Sequence, residues 1–118
     1  MLIRSQNKKI LIDMTNLIIG LDKSDTDTKV ICFHTAAMDG EASAILGEYS
    51  TTEKVVIVIN MIQDAYINAE ITKFTVPEIC KLFREAEDTK ENKVLAEKIG
   101  KRMEENMVFQ MPQDEEIE

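Results

Sequence analysis

Three groups of residues in this chain have the types that chemistry needs. The first is "DKSDTD", where Asp22, Asp25 and Asp27 offer clustered oxygen ligands to a hard cation such as calcium. A twelve-residue calcium loop places glycine at its sixth position and a bidentate glutamate at its twelfth. Counted from Asp22, those positions hold Asp27 and Phe33, so the stretch reads as a solvated loop. The second group is His34, the only histidine, with Asp39 and Glu41 close behind it. That is half a metal site at most, since zinc takes three or four nitrogen or sulfur ligands. As a general base His34 has no nucleophile at motif spacing. The third group is Gly40 and Gly47 in "AAMDGEASAILGEYS", whose spacing forms neither a dinucleotide fingerprint nor a P-loop. No catalytic, metal or cofactor-binding residue is assigned, no cofactor is expected, and the expectation is a protein that is not an enzyme.

Charge points elsewhere. Against 14 lysines and arginines stand 22 aspartates and glutamates, a formal net charge of -8. Such a chain repels phosphate backbones, which disfavours direct binding of nucleic acid and suits a partner with a basic surface. Two acidic clusters are the candidate partner-binding residues: Glu87 and Asp88, and Asp114, Glu115 and Glu116 in the tail "QDEEIE". The densest basic cluster, Lys98, Lys101 and Arg102, lies among glutamates and reads as ion pairs on an exposed helix. Cys32 and Cys80 stand far apart in apolar runs and read as small buried hydrophobes of a reducing compartment. No stretch has the ~18 apolar residues of a membrane span. The N-terminus "MLIRSQNKK" carries charges where a signal peptide has its apolar core, so the expected location is cytoplasmic.

The elements that must carry these residues follow from hydropathy patterning. Hydrophobic residues make up 44% of the chain and aromatic ones 5%, with no tryptophan, so the core must be aliphatic. The first half alternates short apolar runs with turns: Met1–Ser5, Lys9–Met14, Leu17–Leu21, Lys29–Thr35 and "ASAILGEY", with Asp39-Gly40 suiting a tight turn. In "KVICFHT", Val30 and Cys32 face one way and Ile31 and Phe33 the other, so the sheet needs covering on both faces. That pattern predicts either self-association, hence a homo-oligomer, or a substantial C-terminal cover. Ser50 and Glu53 have capping-box spacing and predict a helix from Thr51 to Ala69, despite five consecutive β-branched residues from Val55 to Ile59. "ITKFT" reads as a connector or short strand, and Pro77 as the first turn of a new helix. A further helix carries Leu95, Ile99 and Met103 on one face, and "VFQ" reads as a short strand before Pro112. The expected fold is α+β: an antiparallel meander of four to five strands, a packed helix and two further C-terminal helices. It forms a single domain over 1–112, with 71–107 as a helical insertion and 113–118 as an acidic tail with a disordered tip.

Three stretches, "IRSQNKKIL" (3–11), "ILGEYSTTEK" (45–54) and "VFQMPQDEE" (108–116), resemble a group of small proteins from Gram-positive bacteria and their prophages. The resemblance implies a β-meander plus helix, and it carries over no functional residue because the group has no assigned site. The β-branched run after Lys54 and the helical pair of 71–107 depart from it. Charge and resemblance together lead to a non-enzymatic binding protein of phage or mobile-element origin. Its sharper form is an acidic inhibitor of a host defence nuclease such as a CRISPR effector. The alternative is an oligomer that encloses a small ligand, as a sponge or sensor.

Overall fold

The structure, a computed structural model, describes residues 1–25, 27–34 and 44–118. The Asp39-Gly40 turn and the half-site of Asp39 and Glu41 around His34 lie outside the described residues.

Every apolar run of the first half is a strand, as its patterning predicts: β1 (Leu2–Arg4), β2 (Leu11–Asp13), β3 (Leu17–Lys23), β4 (Thr28–His34) and β5 (Ala44–Tyr49). They do not form one meander. β3, β4 and β5 make one antiparallel sheet, while β1 pairs with β2 on one side and with a sixth strand, β6 (Val108–Gln110), on the other. The β1–β6 pairing is parallel, Leu2 opposite Val108 and Arg4 opposite Gln110, so the chain's last strand closes on its first. Between β1 and β2 the chain turns through Lys8 at φ 66° and reaches β3 through Asn16 at φ 60°. Asn16 suits that left-handed conformation, whereas at Lys8 the Asn7 carboxamide oxygen secures the turn by accepting from the Ser5 hydroxyl (2.7 Å) and the Lys9 amide (2.9 Å).

The β-branched run after Lys54 is helical. Helix α1 spans Thr52–Glu85, and its cap is Thr51, whose hydroxyl accepts from the Lys54 amide, so the expected Ser50–Glu53 box is displaced by one residue. Val55, Val58 and Ile62 are buried against Val30, Cys32 and Leu46 of the sheet. Packing therefore outweighs the modest helix propensity of branched side chains. Val30 and Cys32 face this core as their alternation predicts, and burial pushes the Cys32 thiol pKa up.

Three expectations for the second half are corrected. Helix α1 does not stop near Ala69: it runs through "ITKFT" and through Pro77 as one element of 34 residues. Its half-buried Ala69, Thr72, Val76, Ile79 and Phe83 recur at three- and four-residue spacing. They meet the same spacing in α2 (Lys90–Met107), through Ala96, Ile99 and Met103. That antiparallel seam, ridge into groove, overrides the propensity of Ile71, Thr75 and the proline. The tail is not loose either: Asp114–Glu116 form one 3₁₀ turn and Ile117 is buried in the core. Cys80, expected inside, is exposed on α1.

The result is a body with an arm. The molecule measures 61 × 34 × 22 Å with a radius of gyration of 17.9 Å, against ~13 Å for a compact chain of this length. The excess is the α1–α2 hairpin beyond Ala69, projecting from the sheets.

Candidate interaction surface

The densest polar constellation lies where the N-terminus, the end of β5 and the tail meet. Gln6 is its centre: its Oε1 accepts from the Glu48 amide at 2.9 Å, and its Nε2 donates to the carbonyls of Glu48 (3.1 Å) and Pro112 (3.3 Å). The Tyr49 hydroxyl donates to the same Pro112 carbonyl at 2.8 Å, Gln110 donates to the Ser5 carbonyl and Gln113 to the Gln6 carbonyl. Gly47 lets the chain pass close by, since a Cβ on it would lie 3.0 Å from Tyr49 Cε2 and 3.3 Å from Gln6 Cβ, tighter than ordinary contact. Asp114 completes the group by accepting from the Ser50 amide (2.7 Å) and from Lys54 Nζ (3.3 Å) at the amino end of α1. The Ser50 amide, with Lys54 beside it, holds the Asp114 carboxyl below the usual carboxylate range. Burial, with Asp114 and Glu116 nearby, pushes the Tyr49 phenol up to about 12.

These residues belong to the stretches 3–11, 45–54 and 108–116. Their polar atoms are spent on one another, each buried donor or acceptor having its partner. What the three stretches build is a clasp holding both ends of the chain to the start of α1. Reading the sequence missed it, since the pairings span as many as 107 residues and only the recurrence of Gln, Tyr and Pro beside short strands signals it.

The five candidate acidic residues separate accordingly. Asp114 is engaged in the clasp, Glu115 and Glu116 are exposed beside it, and Glu87 and Asp88 lie in the turn between α1 and α2. Since α1 is ~50 Å long, the two clusters sit at opposite ends of the molecule and form no single patch. Asp88 pairs with Lys93 at 3.5 Å, with both side chains largely in water, which contributes little. Of the three aspartates read as a loop cluster, Asp22 lies in β3 opposite Lys29, and Asp27 pairs with Lys29 at 3.6 Å. Among the described residues no three His, Cys, Asp or Glu side chains gather as a metal site. Among them, too, no helix is long and apolar enough to cross a membrane.

The arm exposes large apolar side chains among its charged ones. Phe74 is 76% exposed, Leu82 67%, Met107 63% and Leu95 50%, and no residue of α2 is fully buried. Isolated apolar residues on a surface need no explanation, but contiguous ones mark an interaction site. At the arm's root, Met1, Leu2, Val76, Pro77, Met103 and Met107 line a groove of about 530 Å³ with Lys73 and Glu70 at its rim. Compared with protein-family models, with curated proteins and with solved structures, the chain matches none.

Proposed function

We propose that this chain is a non-enzymatic binding protein, of phage or mobile-element origin, that works by protein–protein contact through its helical arm. The observation that carries the reading is the arm itself: an 18-residue helix that packs on α1 through half-buried Ala96, Ile99 and Met103 and presents Val94, Leu95 and Met107 to solvent. Holding such a helix out from a clasped body costs stability unless the exposed side chains have an occupant. Charge supports a division of labour. Residues 70–107 hold eight basic and nine acidic residues, so nearly all of the net charge of -8 lies on the rest of the chain. In the sharper form, that acidic body faces the basic nucleic-acid channel of a host defence nuclease such as a CRISPR effector, with the arm as the apolar grip. Capture from host lysate tests it. The wild-type chain should enrich a nuclease or nucleic-acid-binding protein, and Val94→Ser with Leu95→Ser should lose at least ~10-fold of that enrichment. No such protein above background sinks the reading.

The groove at the arm's root supports a second reading, a small-ligand sponge or sensor. Its largely apolar lining, which includes both Lys73 and Glu70, fits a mainly apolar molecule with no strong net charge. Native mass spectrometry of chain purified from its host should then show an added small mass, and a bare chain discards it.

A further inference from the structure

We propose that the outer face of α1 is a docking surface for a second copy of this chain, packed antiparallel about the Ile71–Phe74 turn. Helix α1 has two apolar stripes. One faces the body and then α2. On the side away from the body Val56, Ile67, Phe74 and Leu82 share a face, exposed by 49, 47, 76 and 67%, with Ile71 (55%) at its edge, where it also borders the gap to Ile99 and Met103 of α2. Ile67, Ile71 and Phe74 follow the four-then-three spacing by which one helix seats its side chains between those of another. An exposed helix face needs no such pattern, and the branched residues in it lower helix propensity.

Three observations choose a second copy as the occupant. The first is charge. The arm carries nearly equal numbers of acidic and basic residues, so two arms meet without net repulsion, whereas a strongly basic partner finds little on the arm to attract it. The second is geometry. The body covers the amino-terminal part of α1 through Val55, Val58 and Ile62, so an antiparallel pairing centred on 71–74 sends the two acidic bodies to opposite ends. A parallel pairing would set them side by side, and it would also align the helix dipoles unfavourably. The third is area. Ile67, Ile71, Phe74 and Leu82, the four that lie within the overlap of the two helices, expose on the order of 400 Å² per copy, so the pair buries ~800 Å², the size of a weak and transient contact. Asn60 and Glu78 interrupt the stripe, which suits a reversible dimer rather than a permanent one. The surface is separate from the outward side chains of α2, so the dimer would present two arms to a foreign protein.

Sedimentation equilibrium of the purified full chain from roughly 1 to 100 µM tests the dimer. The expected result is a monomer–dimer equilibrium whose dissociation constant rises at least ~10-fold in Phe74→Glu. Ile18→Ser, on the outer face of the β3–β5 sheet, should leave it unchanged. Orientation is read with a short thiol cross-linker on a Cys80→Ser background. Phe74→Cys should yield a covalent dimer, and Leu82→Cys should not, since antiparallel copies hold those positions ~27 Å apart. Because Phe74 and Leu82 are largely exposed, neither change disturbs the core. A chain that stays monomeric throughout overturns the proposal, even if it captures another protein. So does a dimer weakened by Ile18→Ser and not by Phe74→Glu, and cross-linking through both cysteines contradicts the antiparallel arrangement.

Discussion

At the scale of single residues, the clasp explains more than any acidic cluster does. Asp114 acts as an anion at the amino end of α1, and its ionised form is the one the Ser50 amide and Lys54 favour. Its pKa is lowered in the folded chain, so its contribution is complete above the ordinary carboxylate value of about 3.9 and is lost as pH falls through the folded value. Melting temperatures measured from pH 7 down to ~3 should therefore fall less steeply in Asp114→Asn than in the wild type. Parallel acid limbs would show that the contact contributes nothing. Tyr49 behaves in the opposite sense: its phenol is raised to about 12, so the neutral form's advantage is present below pH ~10 and fades as pH climbs towards the folded value. Gly47→Ala drives a methyl into the Tyr49 ring and should cost about 1–3 kcal/mol by denaturant titration. A neutral result would mean that the ring moves aside freely. Nothing local in the sequence announces these roles. Ser50 and Thr51 both offer a capping hydroxyl; Thr51 caps the helix, and the Ser50 amide is taken by a carboxylate 64 residues further on.

At the scale of elements, the strands and the existence of α1 are legible, and the ends of the helices are not. The alternation in "KVICFHT" predicts which side chains of β4 reach the core because period two admits only two choices. Pro77 misleads because its local preference is real: it removes one amide donor and crowds the carbonyl of Lys73. Its helix survives because Thr72, Val76 and Ile79 are held by α2, from which Asn106 also donates to the Thr72 hydroxyl at 3.4 Å. Pro77→Ala should accordingly stabilise the chain, by up to ~3 kcal/mol, and raise the helical signal in circular dichroism. A destabilised variant would show that the proline shapes the arm for its partner or for α2. In the body, Ile62→Ala should cost about 2–4 kcal/mol, because Ile62 is 2% exposed in the shared core. A loss under 1 kcal/mol would mean that α1 is held by its clasp and not by packing.

At the scale of the whole molecule, sequence patterning could not show that the sheet divides, since that depends on Leu2 meeting Val108 across almost the full chain. It did show that one layer of cover would not suffice. The outer face of the β3–β5 sheet still exposes Ile18 and Ile45, and α1 exposes its second stripe, so the predicted surplus of apolar surface is present in the fold. The central claim is that the arm beyond Ala69 is a contact surface carried by a self-sufficient body. Amide hydrogen exchange followed from dilute to concentrated solution tests it most directly. Exchange should be slow and independent of concentration in β1, β4 and the Val55–Ile62 turns of α1, with protection over 67–82 that grows as the chain is concentrated. Exchange over 67–82 that matches the body at every concentration would contradict it.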